Sequence, residues 1–176
     1  LSTLLLDPEL SHMARYALEP MPHPEAGAAL REALAKTSGD LQAGMVSSLA
    51  MRRDEQAAPS FIKLLRDDHA PVAQAAARAL GMLATPEAVD ALRDAVAKAD
   101  ASSVDVRALC DGLLECAETL AGQGDTEQAA ALYDQLRNLA AAPAQIRTAG
   151  LRGAVLVRGA KAGLPILLEA LRSNEE

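Results

Sequence analysis

The feature that most constrains this chain is a period of about 31 residues in its N-terminal part. The clearest copy is Asp68 to Lys98, DHAPVAQAAARALGMLATPEAVDALRDAVAK. A shift of 62 residues lays Ala17-Leu18 on Ala79-Leu80, Pro24-Glu25-Ala26 on Pro86-Glu87-Ala88, and Ala29-Leu30-Arg31 on Ala91-Leu92-Arg93. Half that shift finds a weaker copy, in which Leu41, Leu49, Ala57, Phe61 and Leu65 fall on Val72, Leu80, Ala88, Leu92 and Val96. A fixed period of this length, with two helical segments in each copy, predicts an α-solenoid. In such an array each repeat buries its apolar face only against its neighbours.

Within the clearest copy the first helix is expected over 71–83. Val72, Ala75, Ala76, Ala79, Leu80 and Leu83 recur there at helical spacing on one face. Most are alanines, so a neighbouring helix can approach closely. Pro71 suits the first turn, where its missing N–H is not needed. Gly81 is read as the approach to the turn. Thr85-Pro86-Glu87 then restarts the chain as N-cap, first helical residue and an acid at the positive helix end. The second helix is expected to bury Val89, Leu92 and Val96 and to leave Asp90, Arg93, Asp94 and Lys98 outside.

Taken in order, the chain divides into five hairpins, at about 7–36, 38–67, 68–98, 103–140 and 143–172, forming one domain. Asp7-Pro8-Glu9 caps the first helix, and the proline-rich turn from Glu19 to Pro24 separates it from the second. Pro59 should bend its helix or delay its start. After Lys98 the period fails. A longer helix is expected from Ser103 to Ala121, ended by Gly122-Gln123-Gly124. Asp125-Thr126-Glu127-Gln128 then reads as a capping box with Asp in place of Ser or Thr. In the fifth hairpin a turn is expected at Arg158-Gly159-Ala160, and Pro165 falls in the first turn of the last helix. Leu4-Leu5-Leu6-Asp7 looks like the close of a preceding repeat, and the sequence starts at Leu rather than Met. Ile166, Leu167, Leu168 and Leu171 are too many to point at the fourth hairpin. The expectation is a segment of a longer array, with an apolar patch on a terminal hairpin.

DHAPVAQAAARALGMLATPEAVDALRDAV resembles HEAT repeats, in particular the short bacterial kind also seen in phycobilisome-lyase-type proteins. The resemblance covers at least Asp7 to Lys98. It implies an all-α, right-handed α-solenoid of about five antiparallel helix hairpins. The fourth hairpin is similar to a tetratricopeptide repeat at Cys116-Ala117, Leu120, Gly124, Ala129 and Tyr133, but it lacks that family's large aromatics early on, and a stretched HEAT hairpin is the favoured reading. Asp105-Val106-Arg107 and Ile146-Arg147 resemble the positions that stitch neighbouring HEAT repeats together. Second helices of HEAT hairpins usually line the concave side. By that resemblance Arg31, Glu32, Ile62, Lys63, Asp90, Arg93 and Asp94 face a groove for a protein or peptide, or for another domain of the same chain. The plainer reading of the same residues, and the one the sequence favours, is a solvated mixed-charge face.

Composition narrows the function further. The net charge is −7, which disfavours nucleic acid as a main partner, because phosphate contact needs clustered Lys and Arg. No stretch approaches the ~20 apolar residues that span a membrane. Half of the residues are hydrophobic, yet only three are aromatic, Tyr16, Phe61 and Tyr133. That argues against an aromatic-lined ligand pocket. His12, His23 and His69 do not converge, and metal-binding, phosphate-loop and nucleophile motifs are missing. Ser47-Ser48 and Ser102-Ser103 read as polar helix or cap positions. Cys110 and Cys116, six residues apart on one helix, lie about 9 Å apart along its axis and on different faces, too far to bond to each other. No catalytic residue, metal or cofactor is therefore expected. The sequence favours a non-catalytic interaction or scaffold module, with self-association through terminal hairpins open. The alternative is a lyase-like HEAT protein or a non-catalytic segment of a larger enzyme.

Overall fold

A computed structural model describes residues 2–98 and 104–172 of the 176-residue chain. Among these residues there is no strand. A 3-10 turn over Ser2–Leu6 leads into α1 (Ser11–Leu18), α2 (Pro24–Leu34), α3 (Gly39–Met51), α4 (Ala58–Leu64), α5 (Ala70–Leu83) and α6 (Pro86–Lys98). Then follow α7 (Val104–Gln123), α8 (Thr126–Asn138) and α9 (Ala144–Arg172). Gly159, at φ 70° and ψ 176°, breaks α9 into two helical stretches, so the last hairpin turns where the sequence predicts. The fold is an all-α solenoid of stacked helix hairpins. Ser102 and Ser103, and the side chain of Asp105, lie outside the described residues.

The period appears in the backbone itself. His23, Asp54 and Thr85 each stand immediately before a second helical segment, and successive members are 31 residues apart. Ser38 and His69 stand before α3 and α5 at the same interval. Arg53 and Ala84, again 31 apart, both take left-handed backbone at φ 50°. At the first of these the helix ends in a Schellman arrangement. The Asp54 N–H donates to the Leu49 carbonyl at 3.0 Å and the Arg53 N–H to the Ala50 carbonyl at 2.9 Å.

Local chemistry sets the helix starts. Thr85 Oγ1 accepts from the Ala88 N–H at 3.3 Å, with Pro86 and Glu87 in the first turn. Asp7 Oδ1 accepts from the N–H groups of Glu9 and Leu10. Asp125 accepts from the Gln128 N–H at 3.1 Å, while the Gln128 side chain returns to the Asp125 carboxylate rather than to its backbone. Pro59 delays α4: the chain first makes a 3-10 turn over Glu55–Ala57, and the proline then sits in the first α-turn.

First helices pack closely on one another, with α3, α5 and α7 side by side in succession. Small residues make that possible. A methyl group on Gly81 would stand 2.6 Å from the Gly112 carbonyl oxygen, and one on Gly112 would stand 2.7 Å from that of Ala77. Gly81 therefore does not serve the turn, as its position suggested. It lies inside α5 and admits α7, and the turn is made by left-handed Ala84. The core runs the length of the stack through Leu30, Met45, Leu49, Phe61, Leu80, Leu92, Leu113, Leu132 and Leu136.

The stitching between hairpins also differs from expectation. Arg107 reaches Asp111 on its own helix at 3.9 Å, and Arg147 donates to the carbonyl of Ala142 just before α9. Links across hairpins include those made by Arg15, Arg52 and Arg53. Arg15 donates to the Gly44 carbonyl and Ser48 Oγ on α3. Arg52 donates to the carbonyls of Leu18, Glu19 and Met21, groups that a helix end leaves without intrahelical donors. Its neighbour Arg53 turns the other way, to the carbonyl of Met82 near the end of α5. Two consecutive arginines thus tie one hairpin to both of its neighbours.

Candidate protein-interaction surface

Six of the seven residues singled out on the second helices form two rows across the stack at the repeat interval. Arg31, Ile62 and Arg93 make one row and are half-buried; Glu32, Lys63 and Asp94 make the other and are exposed. Asp90 is exposed one helical turn before Asp94. The repeat thus gives equivalent residues equivalent exposure on α2, α4 and α6.

The half-buried row is held by the fold. Arg31 is ion-paired with Asp54, whose side chain is only 10% exposed. A methyl group on Gly27, one turn before Arg31, would stand 2.7 Å from the Asp54 carboxylate, so the glycine leaves room for that pair. Ile62 packs against the core. Arg93 Nε donates to Gln135 Oε1 on α8 at 2.9 Å, which fastens the third hairpin to the fourth.

The exposed row is held only by local contacts along each helix. Glu32 accepts from Lys36 at 2.6 Å, and the hydrogen bond, followed by the charge of Lys36, lowers its pKa. Asp94 accepts from Lys98 at 3.2 Å. These are exposed i, i+4 pairs, of the kind that adds little to a helix. A partner's charges can therefore replace them at little cost. Lys63 and Asp90 make no ion pair with another described residue.

A second cleft was not singled out in the sequence. Between α5 and α7, on the first-helix layer, lies an open groove of about 610 Å³ whose lining includes Gln74, Arg78, Arg107, Asp111, Glu115 and Glu118. The i, i+4, i+7 spacing of Asp111, Glu115 and Glu118 is a sequence signal for one shared face. Arg107 shares that face of α7, whereas Arg78 and Gln74 come from α5, and that juxtaposition needs the fold.

The remaining titratable groups are placed for structure. His12 stands edge-on to Tyr16 on α1, His23 precedes α2, and His69 precedes α5 with Nε2 3.6 Å from Asp40. No group of three or more His, Cys, Asp or Glu that could hold a metal occurs among the described residues. Cys110 and Cys116 are free and buried, and burial pushes their thiols up to about 11 and about 12. Burial also raises the Tyr133 hydroxyl, with help from Glu118. Burial of Asp134 would raise its pKa, but hydrogen bonds from Arg137 and Arg158, and their charges, outweigh it and leave the carboxyl lowered. That cluster pins α8 to the Gly159 break in α9.

Comparison with known proteins agrees with this architecture. The family model of HEAT repeats matches residues 27–110, so this stretch carries the HEAT-repeat pattern. No sequence match was found among curated proteins. A chain in the solved structure of the complex of CpcE and CpcF of phycocyanin lyase from Nostoc sp. PCC7120 is similar, with a TM-score of 0.63 at 20% identity. The match covers 98% of this chain and 70% of that one. At that identity the likeness shows the shared fold.

Proposed function

We propose that this chain is a non-catalytic interaction or scaffold module whose five hairpins act as one domain. Its second-helix face receives a protein or peptide, including another domain of its own chain. The observation that carries the reading is the exposed row Glu32, Lys63 and Asp94, repeated at one level of three successive second helices, with Asp90 beside it. A row of alternating charge on a rigid scaffold sets the register of an extended partner more than it sets raw affinity. Arg31, Ile62 and Arg93 support the row from beneath and are not themselves free to bind.

The test is affinity capture followed by cross-linking and mass spectrometry, comparing the wild-type chain with Lys63→Glu and Asp90→Lys. A partner should cross-link near residues 32–94 and be lost in both variants, with helical content unchanged. If the same partner is recovered equally by both variants, this face is not the one that binds.

A second reading rests on the likeness to the phycocyanin lyase complex: a lyase-like repeat protein, or a non-catalytic repeat segment of a larger enzyme. A coloured ligand that copurifies with the chain in stoichiometric amount would favour it over the scaffold reading.

A further inference from the structure

The two ends of the stack carry nearly all of the large apolar side chains left exposed among the described residues. At the N-terminal end these include Leu6, Leu10, Met13 and Tyr16, the last two more than 60% exposed. Leu10, at the N-cap of α1, and Met13 and Tyr16 on it fall at i, i+3 and i+6. Met13 stands two residues before Arg15 and so ~200° from it around the helix, at 100° per residue. Arg15 reaches α3. The apolar stripe therefore faces away from α3, in the direction a preceding hairpin would occupy.

At the other end Leu164, Leu167, Leu168 and Leu171 of α9 are exposed. The inner side of that stretch is marked by buried Gly163 and half-buried Ile166. Leu156, on the first stretch of α9, is 65% exposed and lies ~200° from fully buried Ala154. This face points onward along the stack, where a following hairpin would lie.

The charges at the two ends are opposite. Residues 144–176 carry Arg147, Arg152, Arg158, Lys161 and Arg172 against Glu169, Glu175 and Glu176, a net +2 in a chain of −7. Arg152, Lys161 and Arg172 are exposed beside the leucines. Residues 2–20 carry Asp7, Glu9 and Glu19 against Arg15, a net −2, and Arg15 is already engaged with α3. Glu9 is exposed next to Leu10.

We propose that the apolar, basic C-terminal face of one copy seats on the apolar, acidic N-terminal face of a second copy. The stack would then continue head to tail. Every internal hairpin offers one face backwards and the other forwards, so the two end faces are the two halves of one kind of repeat interface. Charge selects this pairing over two C-terminal faces together, which would oppose the exposed Arg152, Lys161 and Arg172 of one copy to the same residues of the other. A head-to-tail contact of this kind is heterologous and leaves a free face at each end, so it grows into open chains unless the rotation closes a ring. The proposal rests on the interaction reading in general, but it uses the ends and not the second-helix rows. Charge reversal at Lys63 therefore tests that reading and leaves this one untouched.

The test is sedimentation velocity over a wide concentration range, with circular dichroism confirming the helical content of each variant. The wild-type mass should rise progressively with concentration. Met13→Glu removes the N-terminal face and Leu168→Glu the C-terminal face, and each alone should sediment as a monomer. Mixed in equal amounts they should form a species of twice the monomer mass and no larger one, because each supplies the face the other lacks. A variant that loses helicity is replaced by Tyr16→Glu or Leu171→Glu. A wild-type chain that stays monomeric at every concentration overturns the proposal. So does association that survives Met13→Glu, which would signal a symmetric C-terminal contact, and so does a mixture that stays monomeric.

Discussion

Cys110 and Cys116 lie in the tightest part of the stack, on the helix that Gly81 and Gly112 bring against α5. The Cys116 thiol is directed at the Leu80 carbonyl, 3.8 Å away. Burial is the main cause that raises both pKa values from 9.0, to about 11 and about 12. Only the thiolate is nucleophilic, so the folded protein should resist a thiol reagent at neutral pH and release two reactive thiols only when unfolded. A count of fewer than two after unfolding without reductant would contradict the free state of the pair. The same shift has a sign in stability. Between about pH 9 and about pH 11–12 the unfolded chain has lost these protons while the folded chain still holds them. Stability therefore falls as pH rises through that window. Thermal melts of Cys110→Ala with Cys116→Ala should show a shallower alkaline decline than the wild type.

At the scale of elements, α5 and α7 depend on what is missing from their contact. Gly81→Ala adds one methyl group that meets the Gly112 carbonyl at 2.6 Å. Overpacking of this kind costs ~1–3 kcal/mol, and the better helix propensity of alanine returns at most ~1 kcal/mol. The variant should be less stable in urea unfolding, and a variant as stable as the wild type would show that the two helices are not held at this separation. The sequence displays the caps and turns well because Thr85, Pro86, Asp125 and Pro59 act within three or four residues of themselves. It also displays the period as far as Lys98; Gly112, 31 residues after Gly81 and 62 after Ala50, continues one position of it beyond the point where the wider pattern fails. The role of Gly81 stays ambiguous in one dimension, because a glycine that ends a helix and one that admits a neighbour look alike. Arg52 and Arg53 escape notice for a similar reason. Their acceptors are backbone carbonyls 29–34 residues away, and a carbonyl has no identity in a sequence. The candidate surface is legible to the extent that it inherits the period. The rows at 31, 62 and 93 and at 32, 63 and 94 follow from it. That Arg31 and Arg93 are committed to Asp54 and Gln135 does not, since each partner comes from another element.

Across the whole molecule, a stack in which each hairpin touches only its neighbours has a stability that varies along its length. The centre, α3 with α5 and α7, is fully buried at Val46, Leu49, Ala76, Leu80, Leu113 and Cys116, and arginines tie its helix ends to adjacent hairpins. The last stretch of α9 has the opposite character. It leaves Leu164, Leu168 and Leu171 exposed, and Gly159 separates it from the helix before it. Local opening should therefore cost least at that end and most at the centre. Amide hydrogen exchange followed by mass spectrometry, at a concentration low enough to keep copies apart, should show residues 160–172 exchanging first. The first helix, backed on only one side, should follow, and α5 and α7 should exchange last. Leu168→Glu changes an exposed side chain and should leave the order intact at that dilution. Gly81→Ala should lower protection across α5 and α7 while leaving 160–172 as they were, because the end already opens without the centre. Uniform protection over all the helices, lost together on the Gly81 substitution, would mean instead that the stack opens as a single cooperative unit.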